Sequence, residues 1–308
     1  MSDPVNATSD DATTGAPAHD EGEPSEGFRS GFVSIVGRPN VGKSTLLNRI
    51  LGEKVSITSW NPNTTRTAIR GVLNGEGYQI VFVDTPGIHR PRTELGTRLN
   101  ATATATFADV DVNVLVIEAS SPIGPGDRFV AARLPKNSIV VVNKLDAVDP
   151  KKVFEQLEHA QTELGLDDSE FFPVSARTGR GVPELVNHLV GRLSLGPRFY
   201  DADVVRDTPD PVFVAELVRE QLLRVAREEL PHSIACRVVE WEWPYVRCEI
   251  LVERDSQKGI VIGHGGAVLK AAGEAARAQL PDGTYLDLVV RVERDWQRRT
   301  EVIDRLGY

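Results

Sequence analysis

The fold of this chain is decided by residues 32–45, which read FVSIVGRPNVGKST. A buried strand is predicted first, then Gly37, four further residues, Gly42-Lys43-Ser44 and the start of an apolar helix, which is the GxxxxGK[ST] phosphate loop in its required context. We expect the loop N–H groups to bind the α- and β-phosphates, Lys43 to reach the β- and γ-phosphates, and Ser44 to ligate Mg²⁺. The alternative is a plain glycine turn. The predicted nucleotide-binding residues of this stretch are Gly37, Arg38, Pro39, Asn40, Val41, Gly42, Lys43, Ser44 and Thr45.

Composition sets the limits for the rest of the chain. Its 308 residues suffice for two domains with separate cores. The net charge of −9 argues against binding to RNA or anionic lipid through bulk charge. The two cysteines, Cys236 and Cys248, are interpreted as buried apolar residues in a reducing compartment. Because we find neither a secretion signal nor an apolar run of ~20 residues, we expect a cytoplasmic protein.

The chain divides into four segments. Residues 1–27 lack Lys and Arg and are expected to be a disordered acidic tail. Residues 28–198 alternate strand and helix patterns, which predicts an α/β domain with a mainly parallel sheet, helices on both faces and a ligand site at the carboxyl ends of the strands. Residues 199–210 are interpreted as a linker of limited flexibility, and 211–308 as a second domain. The first domain's predicted strands are 32–36, 68–73, 79–84, 112–118, 138–143 and 171–175, and its helices 43–51, 93–107, 125–133, 150–164 and 182–194.

The third predicted strand ends in a second polar motif, about forty residues after the phosphate loop. An aspartate here can hold Mg²⁺ through water, and a glycine N–H can sense a γ-phosphate because glycine permits close backbone approach. The alternative is an ordinary turn. The motif residues, with the one that follows, are Asp84, Thr85, Pro86, Gly87 and Ile88.

The fifth predicted strand ends in a motif that selects the base. Asp146 can accept hydrogen bonds from N1–H and the exocyclic amino group of guanine, which adenine does not offer there. Asn143 is expected to support the neighbouring loop. After the sixth predicted strand, a backbone N–H of residues 175–177 can face guanine O6. The predicted residues are Asn143, Lys144, Leu145, Asp146, Ser175, Ala176 and Arg177.

The polar segment 61–67, NPNTTRT, lies between the phosphate loop and the second motif. A loop of this kind is ordered when a threonine hydroxyl reaches Mg²⁺ beside GTP, and it is released after hydrolysis. We choose Thr65 over Thr64 as that ligand, and the alternative is a surface loop. The predicted metal ligands are Ser44, Thr65 and, through water, Asp84. Lys43, Thr65 and Gly87 are predicted to serve hydrolysis.

These motifs together resemble the five G motifs of translation-factor-class GTPases of the TrmE-Era-EngA branch. They are GRPNVGKS at 37–44, TTR at 64–66, DTPG at 84–87, NKLD at 143–146 and SAR at 175–177. Ile88 stands where Ras-like proteins carry the water-orienting glutamine, so we expect slow intrinsic turnover. Asn40 matches an asparagine that the resemblance links to K⁺, and a role as a loop-bracing amide is equally open.

The second domain is predicted to contain, in order, a helix, two strands, two helices, a strand and a helix. The elements with predicted bounds are the helix 213–230, the strands 234–239 and 246–252, the helix 267–280 and the strand 285–292. Gly263-His264-Gly265-Gly266 joins two of these helices, the core device of a type II KH domain, whose turn approaches nucleic-acid phosphates. The alternative is a packing turn. The predicted RNA-binding residues are Lys258, Gly259, Ile262, Gly263, His264, Gly265, Gly266 and Lys270. Residues 199–308 carry 15 Lys and Arg against 20 Asp and Glu, so electrostatic affinity should be modest.

The arrangement over about residues 30–308 is similar to the Era family, in which a GTPase domain precedes a type II KH domain. The resemblance implies binding of GTP and GDP with Mg²⁺, binding of the 3′ end of 16S rRNA, and action in assembly of the 30S ribosomal subunit. It also implies peripheral contact with the inner membrane face, and we expect a monomer. Two alternatives stay open: an RNA-binding assembly module whose hydrolysis only times release, and a membrane-associated regulatory GTPase whose second domain binds protein.

Overall fold

The computed structural model describes residues 27–59, 64–88, 91, 93–225 and 233–308. The predicted acidic tail, apart from Gly27, lies outside the described residues. So do Asn61, Pro62 and Asn63 of the predicted magnesium-binding loop and the last five residues of the helix predicted at 213–230.

The first domain is a six-stranded sheet with the strand order β2-β3-β1-β4-β5-β6. All neighbouring strands are parallel except β2, which is antiparallel to β3, so the predicted fold class is confirmed. The central strands are almost continuous runs of buried apolar residues, as expected for strands covered on both faces. The strands are β1 Arg29–Val36, β2 Ile69–Gly75, β3 Tyr78–Asp84, β4 Val112–Glu118, β5 Ile139–Asn143 and β6 Phe171–Pro173.

Helices cover both faces of this sheet. One apolar cluster joins α1 and α5 to the sheet, and a second joins α2, α3 and α4 to the other face. Strand β6 ends two residues earlier than the predicted 171–175, because the Ser175 N–H binds the Arg180 carbonyl at 2.9 Å and closes a loop. The helices are α1 Lys43–Leu51, α2 Glu94–Ala108, α3 Pro125–Ala131, α4 Pro150–Glu163 and α5 Val182–Arg192.

The segment between the domains runs along the antiparallel edge of the sheet. Val72 N–H donates to the Val205 carbonyl at 2.9 Å, and the Gln79 Oε1 accepts from the N–H groups of Phe199 and Tyr200 at 2.7 and 3.0 Å. These contacts restrict the predicted linker to one path.

The second domain has the predicted element order. In its three-stranded sheet β7 is antiparallel to β8, and β8 is parallel to β9. The first strand continues past the predicted residue 239, because a bulge between Val238 and Glu240 interrupts the two-residue alternation on which the prediction relied. The elements are α6 Asp210–Val225, β7 Ala235–Glu242, β8 Tyr245–Val252, α7 Asp255–Ile262, α8 Ala267–Arg277, β9 Tyr285–Val292 and α9 Thr300–Arg305.

An apolar cluster joins the two domains. Leu95 and Leu99 of α2 pack with Trp296, which is fully buried, and with residues of β7, β8 and α9. The Trp296 Nε1–H donates to the Ser233 carbonyl at 2.8 Å. The domains are therefore packed against each other on the side of the sheet that carries α2.

Candidate functional site

The phosphate loop has the backbone that its glycines require. Gly42 has φ +98°, and a Cβ there would lie 2.3 Å from the Asn143 Nδ2. The Lys43 Nζ donates to the carbonyls of Gly37 and Arg38 at 3.1 and 3.0 Å, so the lysine folds back across the loop. Burial lowers the pKa of Lys43 to about 8, against an opposing effect of Asp84. These contacts hold the loop in a curled conformation with Lys43 folded over it.

Three hydroxyl groups converge on one carboxylate below the loop. The Asp84 Oδ2 accepts from Ser44 at 2.7 Å, from Ser56 at 2.8 Å and from Thr65 at 3.4 Å. Burial raises the pKa of Asp84. Its Oδ1 is buried and has no hydrogen-bond partner within the described part of the chain. Hydroxyl oxygens beside an unsatisfied carboxylate oxygen are a donor set that suits Mg²⁺.

Thr64 and Thr65, the two threonines considered as magnesium ligands, have different surroundings in the structure. The Thr65 side chain is buried, and its Oγ1 lies 3.1 Å from the Ser44 Oγ. The neighbouring Thr64 presents its carbonyl to Arg219 of the second domain. This geometry favours Thr65, and its assignment as a ligand stays a prediction.

The chain after Asp84 brings backbone to the phosphate end of the cavity. A Cβ on Gly87 would lie 3.0 Å from the ring of Pro39, so a larger residue would press against the phosphate loop. Ile88 is buried in the apolar cluster under the sheet. No polar side chain is therefore supplied at position 88, and His89 lies outside the described residues.

Asn143 joins the phosphate loop to the base end. Its Nδ2 donates to the Val41 carbonyl at 2.9 Å, and its Oδ1 accepts from the Ala176 N–H at 3.0 Å. The neighbouring carboxylate of Asp146 accepts from Ser175 at 2.5 Å and pairs with Arg177 at 2.8 Å. These contacts hold a carboxylate at the position predicted to recognise guanine.

A cavity of about 500 Å³ connects these parts. Its volume lies within the range of small-molecule sites. The predicted residues that line it are Pro39, Asn40, Gly42, Lys43, Ser44, Thr45, Thr65, Gly87, Asn143, Lys144, Asp146, Ala176 and Arg177. The other predicted nucleotide-binding residues, which do not line it, are Gly37, Arg38, Val41, Asp84, Thr85, Pro86, Ile88, Leu145 and Ser175.

Glu118, at the end of β4, is a site residue that the sequence analysis missed. It binds Arg38 of the phosphate loop at 2.6 Å and also Lys144. Burial raises the pKa of Glu118, but hydrogen bonds from Lys144, Ser121 and Arg38 dominate and lower it to about 2. The Arg38 side chain therefore braces the loop instead of lining the cavity. A glutamate at the carboxyl end of a predicted parallel strand was the available signal.

Other missed residues line the cavity from the segment before the predicted loop and from the second domain. Ile57, Thr58 and Ser59 are of the first kind, and Arg224 of α6 is of the second. No motif marked Arg224, because its position depends on how the two domains pack.

The predicted RNA-binding turn lies between α7 and α8. Gly263 has φ +73°, and a Cβ there would lie 2.5 Å from the Val268 Cγ2. A Cβ on Gly265 or Gly266 would meet open space, so the backbone of the turn is accessible. The structure brings the predicted residues together on and around the turn: His264, Gly265, Gly259 and Lys270 are exposed, and Lys258, Ile262, Gly263 and Gly266 are partly buried.

A mainly parallel sheet that presents a phosphate loop and a carboxylate predicted to select guanine to one cavity is the architecture of a P-loop GTPase, here joined to a KH domain. Family models agree with both parts. A model described as 50S ribosome-binding GTPase matches residues 32–144, and a KH domain model matches residues 229–297.

The chain belongs to the GTPase Era family. GTPase Era of Mycobacterium tuberculosis (strain ATCC 25618 / H37Rv) is 48% identical over 299 residues, which cover 91% of this chain and 99% of the relative. Two solved structures are 36% identical, each with a TM-score of 0.86 over 91% of this chain and 99% of that chain. One is Era in complex with MgGDPNP and nucleotides 1506–1542 of 16S ribosomal RNA, and the other is an Aquifex aeolicus Era variant bound to GDP·AlF4⁻.

Proposed function

We propose that this GTPase is a switch that binds the 3′ region of 16S rRNA through its KH domain and acts in 30S subunit assembly and rRNA maturation. The observation that carries the proposal is the convergence of all five G motifs on the borders of one cavity, which Arg224 of the second domain also lines. We assign nucleotide chemistry to residues 28–198, RNA binding to 211–308 and their connection to 199–210. The 1–27 segment is assigned as an acidic tail.

The nucleotide is bound by residues of the first domain. Lys43 faces the β- and γ-phosphates, and Asp146 faces the guanine edge. Ser44, Thr65 and, through water, Asp84 would hold Mg²⁺, whose charge would stabilise the transferring phosphoryl group. This donor set fits because the Asp84 Oδ1 is buried without a hydrogen-bond partner among the described residues.

Turnover is proposed to be slow without an activator. The buried apolar side chain of Ile88 cannot orient the attacking water. The Gly87 N–H is the group that we assign to the γ-phosphate. Asn40 is exposed on the loop with φ +66°, in the position that the resemblance links to K⁺. Hydrolysis measured in K⁺ and in Na⁺ tests this assignment: faster turnover in K⁺ supports it, and equal rates contradict it.

RNA is assigned to the turn between α7 and α8. The support is a solved Era structure, 36% identical to this chain, that contains nucleotides 1506–1542 of 16S ribosomal RNA. The accessible backbone at Gly265 and the exposed Ile260 of α7 provide groups for contact with phosphates and bases. Lys258 and Lys270 supply positive charge, so we expect a salt dependence set by only two or three phosphate contacts.

Equilibrium binding of a fluorescent RNA of that sequence, beside a scrambled RNA, tests the assignment. We expect selective binding that the double substitution His264→Asp and Gly265→Asp weakens at least about tenfold through repulsion of phosphate. The control is Asp207→Asn in the linker, far along the chain from the turn. Equal binding of both RNAs, or binding insensitive to the double substitution, would contradict the proposal.

We infer further that the protein is a cytoplasmic monomer with peripheral contact at the inner membrane face. The support is the family resemblance. Within the described ranges, no helix has the length and apolar character needed to span a bilayer. Cosedimentation with small ribosomal subunits and with vesicles of anionic lipid tests the two partners separately.

A further inference from the structure

Helix α6 of the second domain packs against the segment that precedes the predicted magnesium-binding loop. Glu220 of this helix is fully buried. Its Oε1 accepts from the Thr58 N–H at 2.9 Å and lies 3.4 Å from the Thr58 Oγ1, and its Oε2 accepts from the Lys54 Nζ at 2.5 Å. One carboxylate therefore binds the Thr58 backbone and the side chains of Lys54 and Thr58.

The preceding residue of the helix binds the predicted magnesium-binding loop itself. Arg219 is fully buried, and its Nη2 donates to the Thr64 carbonyl. The guanidinium is held by Glu216, with the Nε 2.8 Å from the Oε1 and the Nη2 2.5 Å from the Oε2. Because this ion pair lies within α6, the donor reaches Thr64 from a fixed base.

Both contacts precede Thr65 in the chain, and the Arg219 contact falls on its immediate neighbour. Thr64 is covalently joined to Thr65, whose Oγ1 lies 3.1 Å from the Ser44 Oγ. On the far side, the Arg66 Nη1 donates to the Ile234 carbonyl at 2.7 Å, and the guanidinium lies over the Trp296 ring. The second domain therefore holds the chain on both sides of Thr65, at Thr64 and at Arg66.

We propose that Glu220 and Arg219 are positioning residues for GTP hydrolysis. They act through Thr58 and Thr64 and place the Thr65 hydroxyl where it meets Mg²⁺ beside the γ-phosphate. The inference rests on the proposed role of Thr65 as a magnesium ligand. A displacement of about 1 Å at a reacting group can lower a rate by about a hundredfold, so two buried contacts on this loop are sufficient to control turnover.

The competing explanation is that both residues simply attach one domain to the other. The two explanations differ in their effect on GDP. A positioning role concerns a contact beside the γ-phosphate, which GDP lacks, so it lowers kcat and leaves GDP affinity unchanged. A docking role lowers stability and changes the affinity for both nucleotides or for neither.

The test uses the full chain with two substitutions that preserve charge and shorten reach, Glu220→Asp and Arg219→Lys. The reference is Thr65→Ala. The control is Asp304→Asn, which removes the Arg98 to Asp304 ion pair between α2 and α9 and leaves the Glu220 and Arg219 side chains unchanged. For each variant, kcat and KM for GTP, the Kd for GDP and the melting temperature are measured.

We expect each positioning variant to lower kcat about tenfold, corresponding to one lost charge-assisted hydrogen bond, with GDP affinity within twofold of the starting protein. If one variant does not fold, the kcat of the other variant tests the inference, because Glu220 acts at Thr58 and Arg219 acts at Thr64. Unchanged kcat in the variants while Thr65→Ala lowers it would overturn the inference, as would an equal loss of GDP affinity or an equal effect of Asp304→Asn. Unchanged kcat in Thr65→Ala would instead refute the assignment of Thr65.

Discussion

Replacement of Asn143 by alanine removes the side chain that joins the two ends of the nucleotide cavity. Asn143 is buried, and it donates to the Val41 carbonyl and accepts from the Ala176 N–H. The substitution leaves a phosphate-loop carbonyl and a base-end N–H without their partner. The loop then has to be ordered by the nucleotide itself.

The magnitude follows from these two contacts. Each buried polar group that loses its partner costs roughly 1–3 kcal/mol. Because water can reach part of the cavity, we take the lower end of the combined range of roughly 2–6 kcal/mol, about 2–3 kcal/mol. At about 1.4 kcal/mol for each factor of ten, the Kd for GDP should rise about 30- to 150-fold.

The assay is displacement of a fluorescent guanine nucleotide by GDP, with a melting curve for each protein. Asn137→Ala is the control, because Asn137 has the same side chain at an exposed position. The variant should bind GDP weakly and melt lower than the starting protein in the absence of nucleotide. GDP affinity within threefold of the starting protein would refute the reasoning.

Three further predictions address guanine recognition by Asp146, the contact of Glu118 with the phosphate loop, and the turn between α7 and α8. Asp146→Asn should weaken GDP binding about ten- to hundredfold and shift preference towards xanthosine nucleotides, whose O2 accepts from an amide, as competition binding can measure. Because the pKa of Glu118 is lowered in the folded protein, its ionised carboxylate stabilises the fold above about pH 4.5. This stabilisation is lost as pH falls from about 4.5 to about 2. Glu118→Gln should flatten the loss of nucleotide-free stability in that window, and an unchanged acid unfolding curve would contradict this. Gly263→Ala forces an alanine to φ +73° and against Val268, so RNA affinity should fall at least about tenfold by anisotropy, and full affinity would refute the role of the turn.

The local motifs of the first domain could be predicted from sequence because each lies within a few residues at the end of one strand. The phosphate loop, the buried Asp84 and the bridge formed by Asn143 are contiguous with strands whose apolar runs are unmistakable. Parallel strands bring such ends to one edge of a sheet, so the site follows from the fold class.

Features that depend on contacts between distant segments could not be predicted. The Arg38 side chain, for example, is drawn away from the cavity by Glu118, 80 residues later, while the assignment of its backbone to the nucleotide stays a prediction. In the sequence, Arg219 and Glu220 are two charged residues of a predicted amphipathic helix, and their role depends on how the two domains pack. Likewise, the bulge between Val238 and Glu240 depends on the register between β7 and β8, which the sequence of one strand does not define.

The central claim is that the nucleotide in the first domain controls RNA binding by the second. The most direct measurement is the affinity for RNA nucleotides 1506–1542 of the protein loaded with a nonhydrolysable GTP analogue and Mg²⁺, compared with GDP. The contacts of α6 with Thr58 and Thr64 predict tighter binding with the analogue, by at least about fivefold, the lower end of ordinary coupling between sites. Equal affinity in both nucleotide states would contradict the account.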